Sequence, residues 1–351
     1  MIELVPHEEI ATALLPGWTA TGEAAEVLVA KVSFSFNADG ELTPIVADPI
    51  VMADDYPNDD PENEAPAAGI EAVPFKQGAE WWLVGSAYSD EPRPFFPVQV
   101  RLTTSGGEHS QKHLVVYGKR HWQKTWRGWV ASPPEPITQQ PIGYEVSYGG
   151  RHPDIDTDTF VPNPVGLGYL GQRKRPSPEQ QPLPHLEALD RLMARPIQRG
   201  ERVGMGPIPS HWPPRADAFS NLDVDALMRG DCPYPDPLPA TAYHSASADQ
   251  WLKQPLSGDI MVELKGLVPG VSVGQIVTLP IKTPVLNAVL RTRTTRTVSD
   301  LQADTLIIDT QQSRVHLVYR QAFTDTHRRA QAELEVVALD AMAVPEGTQH
   351  G

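Results

Sequence analysis

The sequence predicts a mainly β protein: two sandwich- or barrel-like β regions joined by an ordered, proline-rich, loop-rich segment with one or two short helices. Three observations lead there. Apolar residues recur with a period of two in the first and last thirds of the 351 residues. Thirty-six prolines, about twice the usual share, count against a helical bundle, because proline fixes φ and removes a backbone donor. Twenty of them fall between 131 and 240, which marks that stretch off as different in kind.

The first β region spans 1–130. Val32, Phe34 and Phe36 alternate with Ser33 and Ser35, so one face is apolar and the serines are expected to point away from the core. Phe96, Val98, Val100 and Leu102 alternate with Gln99 and Arg101, and Leu114 and Val116 continue the pattern. Trp81-Trp82-Leu83-Val84 is continuously apolar, as in an inner strand. The connecting segment, 131–245, keeps Tyr144, Tyr148, Phe160, Tyr169, Trp212, Phe219 and Tyr234. A free tether would be poor in aromatics, so this segment is expected to be ordered and wrapped. Two stretches in it carry helical spacing: 185–194, with Leu186, Leu189 and Met193 on one face, and 222–228, with Asn221 as N-cap. The second β region, 246–342, has short apolar runs at 260–264, 276–279, 305–308, 315–319 and 334–337. Residues 343–351 have the composition of a frayed tail.

Charge and cysteine content narrow the function classes. A net charge of −15 opposes nucleic acid and anionic membrane as partners. No run of 18 apolar residues is present, and Met1-Ile2-Glu3-Leu4 lacks the basic and apolar regions of a secretory signal. The single Cys232 has no internal disulfide partner, and a cytoplasmic location is expected.

Catalytic and cofactor motifs fail on context, so no catalytic residue, metal or cofactor is expected. Gly166-Leu167-Gly168-Tyr169-Leu170-Gly171 fits a dinucleotide fingerprint, but Pro162-Asn163-Pro164 precedes it where a strand is needed. Its glycines suit a tight loop. Asp54, Asp55, Asp59, Asp60, Glu62 and Glu64 are dense enough for Ca²⁺ but lack the spacing of a calcium loop, and a solvated face explains them. His109 and His113 lack a third zinc ligand nearby, and the acidic surroundings of Cys232 would keep its thiol protonated. His211 is the best lone general base, without an identifiable nucleophile. A hydrolase or toxin-like enzyme using His211 or the 54–64 loop is the alternative function.

Two stretches concentrate the residues that dominate protein interfaces. The first runs from Lys119 to Trp129 and interleaves Arg120, Lys124 and Arg127 with Trp122, Trp126 and Trp129. The second is Gly206-Pro207-Ile208-Pro209-Ser210-His211-Trp212-Pro213-Pro214-Arg215, with four prolines around His211, Trp212 and Arg215. Either could equally be packing: a tryptophan cluster between sheets, or a rigid corner pinned by Trp212. The candidate partner-binding residues are therefore Arg120, Trp122, Trp126, Arg127, Trp129, His211, Trp212 and Arg215.

The second stretch resembles the G-P-I-P-x-x-W-x-x-R signature of a bacterial family, domain of unknown function 2169. Further matches follow in order: 30–36, 53–56, Lys76, Gly85, Ala87, 116–122, 144–150, 163–169, 183–187, 248–250 and 304–306. They cover the chain from about residue 2 to 320. Asn163, Pro164, Gly166, Gly168, Gly206 and Pro207 are the motif positions expected to be structural. The chain departs from the pattern at Ala216-Asp217-Ala218-Phe219, where the family tends to carry G-T-Y-D. The resemblance implies an adaptor or chaperone that binds a toxin effector and helps seat it on the VgrG or PAAR spike of a type VI secretion system.

Overall fold

The computed structural model describes residues 2–172, 176–196, 198–213, 215–220, 229, 241–324 and 332–338. The helix expected at 222–228, Cys232 and the tail lie outside the described residues. The strands in chain order begin with β1 (Ile2–Leu4), β2 (Ala11–Trp18), β3 (Ala24–Phe36), β4 (Leu42–Ile45), β5 (Ala79–Val84), β6 (Ser86–Arg93), β7 (Phe95–Thr104) and β8 (His109–Tyr117). The middle of the chain holds β9 (Trp122–Thr125), β10 (Gly128–Ala131), β11 (Ile137–Pro141), β12 (Tyr148–Gly149), β13 (Arg151–His152), β14 (Ile155–Thr159), β15 (Leu167–Gly168) and β16 (Leu186–Ala188). The last group is β17 (Trp251–Leu252), β18 (Asp259–Lys265), β19 (Ile276–Lys282), β20 (Leu286–Arg291), β21 (Arg296–Asp300), β22 (Gln302–Asp309), β23 (Arg314–Phe323) and β24 (Ala332–Ala338). A single-turn α-helix, α1, spans Arg215–Ala218.

Three sheets carry the architecture. A seven-stranded sheet runs β17-β5-β22-β23-β3-β2, with β4 also on β3. A five-stranded antiparallel sheet runs β16-β8-β7-β18-β19, and a four-stranded one β1-β24-β20-β21. Strands from 1–130 and from 246–342 are hydrogen-bonded neighbours in each of them, so the two β segments fold together. The main core gathers Val32, Phe34, Trp81 and Leu83 of the first sheet, Phe96, Val100 and Val262 of the second, and Leu290 and Leu334 of the third.

The period-two expectation holds for Val32, Phe34 and Phe36, which all enter this core. Ser33 does point to the opposite face, yet it is buried there, with its Oγ 2.7 Å from His316 Nδ1. The reason is a second apolar layer on the far face of the seven-stranded sheet, built from Val27, Val29, Ile50, Trp82, Ile307 and Val318. Trp81 and Trp82 thus face opposite layers, which is why β5 is apolar at every step from Trp81 to Val84.

The helix expected over 185–194 is not formed. Leu186, Glu187 and Ala188 pair instead with Val116, Val115 and Leu114. His185 is fixed extended between Val146 O and the Tyr117 amide. Glu187 is then drawn inward by Arg120. The glycine stretch 166–171 carries a short strand. Leu167–Gly168 pairs in parallel with Tyr148–Gly149, and Gly168 has a φ of 89° that a side chain would resist.

Candidate partner-binding surface

The proline corner is a closed piece of structure. Trp212 is 2% exposed and meets the Tyr144 ring edge to face at 6.1 Å, with Ile208 beside them. Arg215 is buried too. It donates to Ile208 O at 2.6 Å and lies 3.8 Å from Asp54. Asp54 in turn accepts the Ile70 and Ser210 amides at 2.9 and 3.1 Å. Burial lowers the pKa of the Arg215 guanidinium, against the pull of Asp54. Tyr56 is pushed up to about 12 by burial and by the same carboxylate.

The motif positions tie this corner to the sheets. Asn163 donates to Tyr144 O and Tyr148 O at 2.8 and 3.1 Å, and Gly166 leaves room for its amide. Pro164 sits in the turn between them. A side chain at Gly168 would press on Pro184. Gly206 follows Met205, whose carbonyl accepts the Leu83 amide, and Pro207 packs on Gly69. Arg202 donates to Pro162 O and Pro213 O.

Trp212 and Arg215 therefore do not present a surface, which corrects the platform expectation for them. Tyr144, Ile208, Ala65 and Val165 close over the indole, leaving a partner nothing to touch. His211 stays exposed at the rim, with Nε2 3.1 Å from Pro61 O. Asp54 and Glu64 of the acidic stretch are structural as well. Glu64 accepts from the Asn58 backbone and side chain, and these bonds hold its pKa below the usual carboxylate range.

The basic–aromatic stretch divides into a buried base and an exposed tip. Arg120, 8% exposed, pairs with Glu187, donates to Pro184 O at 2.9 Å and lies 3.5 Å over the Tyr117 ring. Burial raises the Glu187 pKa, and Arg120 works against that rise. Trp122 is buried among Tyr148, Tyr169, Leu183 and Met193, with Trp129 partly buried against them. Arg120 and Trp122 are thus also internal. Strands β9 and β10 project from this base as a two-stranded hairpin. Gly128, at a φ of 113°, turns it, and the Thr125 hydroxyl donates to Gly128 O. At the tip Trp126 is 86% exposed, and the Arg127 guanidinium stacks 4.3 Å from its ring.

A buried polar chain, not anticipated as a unit from the sequence, lies across the seven-stranded sheet. Lys31 pairs with Glu71, and Arg320 with Asp304 and the Glu71 carbonyl. Thr305 links Asp304 to Lys76, which pairs with Glu80 beside His244. Burial opposes ionisation of both Lys76 and Glu80, but Lys76 and His244 hold the Glu80 carboxyl well below its ordinary range. The signal available in the sequence was that Lys76, Asp304 and Thr305 all sit in the quoted matches. The three lysine–arginine cations balance three carboxylates, so the chain pins the sheet without leaving a charge uncompensated.

A cleft of about 1080 Å³ lies beside β8, with Arg202, which also holds the corner's Pro213 carbonyl, in its lining. Gln111, Lys112 and His113 of β8, Ala188–Arg191, Gly200–Val203, Phe160 and Asp249 line it. Lys112 is buried and donates to Asp249 and Gln250 at 3.2 and 2.8 Å.

A β-rich fold stapled by the proline corner and the buried charge chain is the class these features define. The model of the family described as uncharacterised proteins conserved in bacteria, domain of unknown function 2169, matches residues 21–320. The chain belongs to that family. No curated protein and no solved structure matches it.

Proposed function

We propose that the protein is a non-catalytic adaptor that binds a toxin effector and helps load it onto the VgrG or PAAR spike of a type VI secretion system. The observation that carries the reading is the hairpin tip. A tryptophan that is 86% exposed, with an arginine stacked on it, does nothing for the fold at that place. Tryptophan and arginine are the residues that most often dominate binding energy. The arm that holds them is anchored at its base by Trp122 and Arg120, so little entropy is lost when a partner closes on it. Lys124 and Arg127 make the tip basic on a chain of net charge −15, which favours a partner with an acidic rim around an apolar pocket. Membership of the family supplies the secretion context as an expectation.

The test is capture. The tagged full chain is purified from its native bacterium under conditions in which the type VI apparatus is assembled, and co-eluting proteins are identified by mass spectrometry. An effector and a spike component should co-elute. Folded bait that recovers no secretion component refutes the adaptor reading.

A further inference from the structure

The five-stranded sheet ends in a strand that is only half covered. On β8, Tyr117 N donates to His185 O, and His113 O accepts from Leu189 N, so the odd-numbered residues turn their backbone groups toward β16. The pairing of β16 stops at Leu114, and the Leu189–His113 contact is already stretched to 3.5 Å. By the same alternation the N–H and C=O of Gln111 and the N–H of His113 face the same edge, where no strand pairs with them among the described residues. An unpaired edge of this kind is a template for another chain.

This free edge sits inside the 1080 Å³ cleft, not on an open rim. Residues 188–191 form one wall and 200–203 another, with Phe160 and the exposed Leu189 supplying apolar surface. Lys112 is neutralised by Asp249, and Arg191 by Glu201. The cleft thus offers main-chain donors and acceptors between mixed walls, in which Phe160, Leu189 and Val203 are apolar and the Arg202 guanidinium is held by the Pro162 and Pro213 carbonyls. A walled edge admits a single extended chain and obstructs the broad sheet edge of a folded domain.

We propose that the cleft beside β8 takes an extended peptide segment of a partner protein, added as a strand on the free backbone of Gln111 and His113, with apolar side chains at alternate positions. The site is distinct from the hairpin tip. Its assignment to a secretion partner rests on the adaptor reading; its chemistry does not.

The test uses the full chain. A random twelve-residue peptide library is panned on it, and recovered peptides are labelled and titrated by fluorescence anisotropy. Gln111→Pro removes the edge N–H at a position where proline is compatible with an edge strand, and Gln111→Ala keeps that N–H. Recovered peptides should bind wild type and Gln111→Ala alike, and Gln111→Pro at least about tenfold more weakly. Amide exchange at Gln111 and His113 should slow in wild type when peptide binds, a readout that does not depend on the proline variant folding. Panning that yields no binder, equal affinity for the proline variant with unchanged exchange, or equal loss in Gln111→Ala overturns the proposal. So does a wild-type dimer that Gln111→Pro dissociates, since a second copy would then be the occupant. Peptide binding without capture of secretion components removes the adaptor reading alone. Capture that Gln111→Pro leaves intact, with no peptide binder found, removes this proposal alone.

Discussion

Replacing Arg120 separates a buried structural pair from a binding residue. Arg120→Ala deletes the partner of Glu187 and the donor to Pro184 O, and it strips a cation from the Tyr117 ring. Glu187 remains buried with only the Met193 amide on its carboxylate, at 3.0 Å. Breaking a buried pair in this way costs about 3–5 kcal/mol, because one charge is left uncompensated. At roughly 2 °C per kcal/mol for a chain of this size, the melting temperature should fall by about 6–10 °C. Arg120→Met with Glu187→Leu should recover most of that loss, since removing both charges together is often close to neutral. The loss should also depend on pH. Without Arg120, the Glu187 pKa rises further above its unfolded value, so the penalty is present at neutral pH and fades as the carboxyl protonates in acid. Differential scanning fluorimetry of the single and double variants at pH 8 and pH 5 measures each term. A single variant that melts with the wild type, or a double variant as unstable as the single one, would show that Arg120 does not hold this base.

Three further outcomes follow from other parts of the molecule. Trp212→Ala should lose about 3–5 kcal/mol by chemical denaturation, the usual cost of deleting a buried large aromatic. Trp212→Phe should lose much less, because among the described residues the indole N–H has no hydrogen-bond partner to give up. Gly168→Ala should lower stability by about 1–3 kcal/mol, since it strains a positive φ and places Cβ 2.9 Å from Pro184 Cδ. His316 is pushed down to about 4 by burial and by Lys31, so the unfolded chain takes up a proton first. Stability should fall as pH drops from about 6.5 to about 4, by up to about 3 kcal/mol, and His316→Gln should flatten that part of the profile.

The strands that carry the core were legible because their side chains keep a strict period with one apolar face: Phe96 to Leu102 is an example. What the alternation could not convey is what lies on the other face. Ser33 has the sequence character of a solvent-facing residue, and the second apolar layer together with the His316 side chain, 283 positions away, makes it internal. The interleaving of early and late strands is a matter of long-range pairing for the same reason. Leu186, Leu189 and Met193 have helical spacing, but the pairing of 186–188 with β8 and the ion pair between Glu187 and Arg120 override it. At the candidate surface, composition located the two stretches and could not divide them. Arg120 and Trp126 have equal claims in the sequence, yet one is buried at the hairpin base and the other stands clear at its tip. The Gln111 edge is a backbone property, and side-chain patterns carry no trace of it.

The central claim, that the exposed hairpin tip holds a secretion partner, is tested most directly by comparing capture by wild type and by Trp126→Ala with Arg127→Glu. Both substitutions lie on solvent-exposed side chains, so the melting temperature should stay within about 1 °C. Quantitative mass spectrometry of the co-purified effector and spike component should then show at least about a tenfold loss, the minimum expected when an anchoring tryptophan is removed. Full recovery of both partners by the folded double variant would contradict the claim.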